Sequence, residues 1–255
     1  MNNSQRNPIV IFIINIAAII VAYYVSILLH EWGHGTLAWL NGVKTSPFDV
    51  QYGGWFLMNV DENVRYANLI ASGRGVAAAL IGIAGISVSF VLLVGCFILL
   101  NCKSIQRNSV KFTFAYWFLI INMIPVVQYL TISTFSTEGD VGRFIHGLNI
   151  SGWWIFLPGT IFNIFAMWRI LKVEIPKAYA VIPVKSIIGQ NIFLLATLGI
   201  IFLFIYTHGY NPFTDEGMDT FSRVLAILSV VLVPILFILC NPARNWVMKL
   251  KKLKH

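Results

Sequence analysis

Charge is what this chain lacks most. Asp, Glu, Lys and Arg make up 11% of its 255 residues, where a soluble domain carries about 25%. So few charges cannot cover a water-facing surface on a chain that is 58% apolar, which excludes the soluble classes. Cysteine is scarce as well. Cys96, Cys102 and Cys240 are odd in number and have no C-x-x-C spacing, which excludes a disulfide framework or a sulfur metal site and leaves core packing. Acids, histidines and cysteines are missing altogether between Phe112 and Thr137. The sequence also has no internal repeat and no low-complexity tract, so it lacks the symmetry of broken spans expected of an inverted-repeat transporter.

What the chain does have is long apolar blocks, near Pro8 to Leu40, Gly75 to Leu100, Phe112 to Ile132, Ile150 to Trp168, Ile187 to Thr207 and Val224 to Cys240. Each is about long enough to cross a ~30 Å hydrocarbon core as a helix. The last does so if extended over Phe221 to Trp246, with Trp246 as an interfacial anchor. The expected fold is therefore an all-α polytopic membrane protein of about six transmembrane helices, with the lipid bilayer as its first partner. The net charge of +8 reflects topology and not nucleic-acid binding. With six alternating spans, Arg6, Lys103, Arg107, Lys111, Arg169, Lys172, Lys177, Lys185 and the basic tail all fall on one side. Lys44, Arg65, Arg74, Arg143 and Arg223 fall on the other, with most of the acids. The positive-inside rule then makes both termini cytoplasmic. The expected location is a cell membrane, the inner membrane if the chain is bacterial. The first block lacks a small-x-small exit and reads as a retained anchor, not a cleaved signal.

One connection has a pattern of its own. In "NGVKTSPFDVQYGGWFLMNVDEN", Phe48, Val50 and Tyr52 alternate with Asp49 and Gln51, and Gly53 and Gly54 supply turn residues ahead of Trp55 to Val60. This predicts a short β-hairpin between the first and second helices. Its edge could pair with an extended peptide. The second block is rich in small residues, among them Gly75, Ala78, Gly82, Gly85 and Ser89, which let helix backbones approach closely.

Against this background His30-Glu31-Trp32-Gly33-His34 stands out, because ionisable side chains are costly within a membrane span. On a helix, four residues turn 400°, so His30 and His34 share one face and can aim two imidazoles at one ion, with Glu31 beside them as a base. That predicts a Zn²⁺ site. Gly33 leaves room for a neighbouring helix or a substrate backbone. Catalytic zinc takes a third protein ligand, and the acids of "STEGDVGRFIHG", Glu138 and Asp140, are the first candidates, with His146 more remote. Arg143 could pair with either acid. Asp49, Asp61, Glu62, Asp215, Glu216 and Asp219 read as solvated charges. Asn122 and Gln128, polar on an apolar span, are candidates for binding substrate backbone or for bonds between helices.

With "HEWGH" and with "NMIP", Asn122 to Pro125, the chain resembles the site-2 protease family of intramembrane zinc metalloproteases. The resemblance covers roughly Ala22 to Gly147. It implies a catalytic membrane core over residues 1–147, three helices plus a hairpin that helps present substrate, and a remainder, 148–255, of three further helices. It also implies His30, His34 and Asp140 as zinc ligands, Asp140 being favoured over Glu138, and Glu31 as the catalytic base. The substrate class would be transmembrane proteins cleaved in or near their spans, with Gly53 and Gly54 part of the substrate-holding segment. The sequence departs from the family pattern in two ways: Asp140 follows Pro125 by 15 residues, and Val141 intervenes before Gly142. Alternatives are a metalloprotease recruiting Glu174 or Glu216, a metal-binding transporter, or a catalytically inactive scaffold.

Overall fold

The computed structural model describes residues 7–55, 57, 60–137, 139–184, 186–203 and 219–241. It begins with α1, Pro8–Leu40, a helix of 33 residues. Pro8 sits at its first position, where a missing N–H costs nothing, and the Asn7 side chain accepts from the Ile9 N–H at 2.9 Å. Runs of isoleucine and valine are weak helix formers in water. In hydrocarbon, however, an unbonded backbone group costs several kcal/mol, so the helix is the form available to a lone segment.

After α1 come α2 (Tyr66–Ala71), α3 (Gly75–Leu99), α4 (Lys103–Gln106) and α5 (Ser109–Val127), the last running on into a π turn at Gln128–Ile132. Then follow α6 (Asp140–Leu148), α7 (Trp153–Arg169) with a second π turn at Ile170–Glu174, α8 (Ile175–Val181), α9 (Ile187–Leu203) and α10 (Thr220–Leu239). Among the described residues, five stretches are long and apolar enough to cross a membrane: Pro8–Leu40, Gly75–Leu99, Ser109–Ile132, Trp153–Val181 and Thr220–Leu239. The sixth expected span begins as α9, whose 17 residues end where the described residues do. The basic tail, Trp246, Asp215 and Glu216 lie outside the described residues.

The expected β-hairpin is not present, and the described residues contain no strand. Gln51 and Asp61 exchange a single rung of N–H···O bonds, at 2.9 and 3.0 Å. The backbone explains why the ladder stops there. Gly53, Leu57 and Asn63 all have positive φ, which breaks extended geometry on both sides of the rung. The segment is an irregular loop held to α1: the Tyr24 hydroxyl donates to the Trp55 carbonyl, and Trp32 packs edge-on against Phe48 at 5.2 Å.

The interior is built around α5, where Tyr116, Trp117, Leu119, Ile120, Met123 and Val126 are all buried. One apolar cluster continues from these side chains to Phe193, Leu194 and Leu198 of α9 and Val233 of α10. Residues on both sides of position 147 therefore share a core. Outward-facing side chains such as Ile9, Phe12, Ile16, Ile161, Ile164 and Leu228 stay exposed, as suits helices surrounded by lipid.

α6 lies along α3 at very short range. A Cβ added to Gly147 would meet the Gly75 carbonyl oxygen at 2.5 Å, and one added to Gly82 would meet Arg143 Cβ at 2.8 Å and the Asp140 carbonyl oxygen at 3.1 Å. Small residues on both helices bring the N-terminus of α6 beside the C-terminal half of α1.

Candidate metal centre

The helical repeat of α1 stacks His30 on His34, with their Nε2 atoms 3.3 Å apart. Asp140, the first residue of α6, enters from the side. Its Oδ2 lies 3.0 Å from His30 Nε2 and 3.3 Å from His34 Nε2. Together these residues form a three-donor group that could hold a metal ion. A tetrahedral centre with bonds of 2.0–2.1 Å separates its donors by about 3.3 Å, so the spacing suits such an ion without rearrangement.

The outer atoms of both rings are tied down. His34 Nδ1 lies 2.7 Å from the Ile81 carbonyl oxygen, an acceptor only, so this nitrogen carries the proton and Nε2 of the neutral ring carries a lone pair. His30 Nδ1 lies 3.0 Å from Ser89 Oγ, which can accept in the same way. Such bonds fix the orientation and tautomer of a metal-binding imidazole. Burial by itself pushes the Asp140 carboxyl up, but His34 and His30, when protonated, outweigh it and hold the carboxyl well below the usual carboxylate range; with both rings neutral that support is gone. Lone pairs of two imidazoles and a carboxylate thus converge on one point, which is repulsive unless a cation or a shared proton lies among them.

Glu31 is 9% exposed, and its Oε2 is buried with no hydrogen-bond partner. Gly33 does what its position suggested: a Cβ there would meet Val88 Cγ2 at 2.9 Å and the Ala84 carbonyl oxygen at 3.2 Å, so α3 closes directly onto the motif. The amide of Asn122 bonds between helices, with Nδ2 donating to Ser26 Oγ of α1 at 2.9 Å, while its Oδ1 is buried without a partner. Gln128 is buried where the π turn opens, three residues beyond Pro125. Gly53 and Gly54 lie in the irregular loop, and a side chain at Gly54 would meet open space. Glu138 falls outside the described residues.

Glu174 is fully buried among Arg169, at 3.2 Å, and Lys177, at 3.1 Å, and Lys177 also reaches Asn101 beyond the end of α3. That is beyond the C-terminal end of α3, whereas His30 and His34 meet the middle of that helix at Gly85 and Ser89. Arg143 makes no ion pair with Asp140. It pairs with Glu62 at 2.7 Å, and Glu62, expected to be solvated, is only 4% exposed.

Sequence reasoning missed four contributors to the centre: Ser89 and the Ile81 carbonyl, which orient the rings, and Gly85 and Glu62. A Cβ on Gly85 would lie 2.2 Å from His34 Nε2 and 2.6 Å from His30 Nε2, so hydrogen at this position is what leaves the donors their space. The small-residue pattern of α3 carried that signal. No family model, curated protein or solved structure matches the chain.

Proposed function

We propose that the chain is a zinc-dependent intramembrane endopeptidase. The observation that carries this reading is the convergence of His30, His34 and Asp140 with a buried, unpartnered Glu31 carboxylate oxygen beside them, in a chain with five helices fit to cross a membrane. Two imidazoles and one carboxylate, with no thiolate among them, form a donor set that suits zinc and leaves a fourth tetrahedral position for a catalytic water. When bound, zinc supplies Lewis acidity and brings the pKa of water down to about 7. The resemblance of "HEWGH" and "NMIP" to the site-2 protease family points to the same reaction class.

The protein's own groups then have distinct tasks. Glu31 takes the proton from the attacking water and returns it to the leaving amine. Ser89 and the Ile81 carbonyl keep the imidazoles in register. A transmembrane substrate hides its peptide bonds in internal hydrogen bonds, so it must present a loosened segment. A groove of about 470 Å³ between α1 and α3, lined by Trp32, Gly33, Thr36 and Ser87 and by none of the metal-facing residues, is the place we propose for the flanking part of such a segment. The orientation we propose has both termini in the cytoplasm.

The test combines metal content with cleavage of single-span substrates by detergent-purified protein. Glu31→Gln is expected to keep zinc and lose cleavage by ~10²-fold or more. Asp140→Asn is expected to weaken zinc by at least ~100-fold. Wild-type cleavage that survives Glu31→Gln would overturn the mechanism, and metal flux across vesicles in that variant would favour the transporter.

A further inference from the structure

Asp140 is the metal-facing residue of α6, a helix of nine residues. Three residues on, Arg143 donates from Nη1 to Glu62 Oε1 at 2.7 Å, and its guanidinium lies 4.1 Å above the Tyr66 ring. Glu62 is itself held. Its carbonyl accepts from Lys44 Nζ, and the neighbouring Asp61 makes the rung to Gln51. The carboxylate therefore acts as a fixed post on the segment that crosses from α1 to α2.

The glycine contacts of α6 with α3, at Gly75, Gly82 and Gly147, set how closely the two helices approach. Small residues carry no interlocking side chain, so on the face toward α3 they leave the roll of α6 less constrained, and its restraint falls to the apolar packing of Val141 and Ile145 on the core and to its polar contacts. A carboxylate sits about 6 Å from a helix axis, so a roll of about 20° displaces it by ~2 Å. Metal ligation tolerates about 0.2 Å. Some contact must fix the roll. Apart from Asp140 itself, Arg143 is the described residue of α6 with an ion pair to a buried charge on another segment.

We propose that Glu62 and Arg143 are positioning residues for the metal centre, the ion pair setting the roll of α6 that aims Asp140 Oδ2 at His30 and His34. Neither residue touches the donor atoms' meeting point as a ligand; both act through Asp140. The inference rests on the reading of these three residues as a metal centre.

The test uses the full chain in detergent, with Co²⁺ as a spectroscopic probe and zinc affinity measured against a competing chelator. Removing one charge leaves the other buried and uncompensated, so the informative variant is the double Glu62→Gln/Arg143→Gln, which removes both. Arg143→Lys keeps the charge but loses the fork and the ring stacking. Zinc affinity is expected to fall about 10- to 100-fold in the double variant and by less in Arg143→Lys, with the Co²⁺ visible bands shifted in both. The melting temperature of the chelator-treated double variant should stay near that of wild type. Wild-type affinity and an unshifted Co²⁺ spectrum in Arg143→Lys and the double variant would overturn the proposal. If the double variant does not fold, an unshifted Arg143→Lys spectrum overturns it alone. A folded wild type that binds neither ion would instead overturn the metal-centre reading, and this inference with it.

Discussion

At the scale of single residues, Gly85 makes the sharpest demand, because the atoms a Cβ would strike are the two His Nε2 donors themselves. Those atoms are side-chain tips and not backbone, so Gly85→Ala should be absorbed by displacing the rings, at the expense of their bonds to Ser89 and the Ile81 carbonyl, and not by moving the helices. We expect its zinc affinity to fall by at least ~10-fold, with the melting temperature of the metal-free protein little changed. Equal zinc affinity in chelator competition would show that the rings have room to spare. His30, Glu31 and His34 were legible in the sequence because one helical period relates them and no long-range information is needed. Asp140 was reachable through resemblance, since nothing local ties it to residues more than a hundred positions earlier. Ser89 and the Ile81 carbonyl were not legible. A serine on an apolar helix looks the same whether it orients an imidazole or caps its own backbone, and a backbone carbonyl has no sequence signature at all.

At the scale of elements, five of the six expected spans are present at full length among the described residues and the hairpin is not, for a physical reason. Helix-forming apolar blocks are dictated by the bilayer, whereas the alternation of Phe48, Val50 and Tyr52 reports only which side chains face inward. Leu57 and Asn63 at positive φ are choices that no composition rule forces, and they end the ladder after one rung. The same irregularity brings Glu62 inward, where charge patterning had placed it in solvent. Burial would raise its carboxyl pKa, but His34 and then Arg143 outweigh this and lower it. A carboxylate with a depressed folded pKa stabilises the fold fully above its unfolded value of about 4.3, and that stabilisation is lost as pH falls through the folded value. Chelator-treated wild type should therefore lose melting temperature more steeply than Glu62→Gln as pH drops below about 4.3. Parallel profiles for the two proteins would mean that the pair contributes no pH-dependent stability.

At the scale of the whole molecule, the metal centre packs against the middle of α3, at Gly85 and Ser89, with α6 reaching it along the N-terminal half of that helix, whereas the Glu174 cluster lies beyond the C-terminal end of α3, so orientation decides which compartment each half of the bundle faces. Charge asymmetry predicts that the segment between α3 and α5 is cytoplasmic, and the chain carries its own reporter there. Cys102 is partly exposed, whereas Cys96 and Cys240 are buried at 2% and 7%. A membrane-impermeant maleimide should label Cys102 in inverted vesicles and leave it unlabelled in intact cells. Thr45, exposed in the loop after α1, lies at the other end of α3, so Thr45→Cys in a Cys102→Ser background should show the reverse pattern. If both sites label as expected, the loop after α1 and the half of α3 along which α6 brings in Asp140 face the outer side. Labelling of Cys102 in intact cells would turn the molecule over, place that half toward the cytoplasm, and leave the basic loops as a departure from the positive-inside bias that some force other than charge would have to maintain.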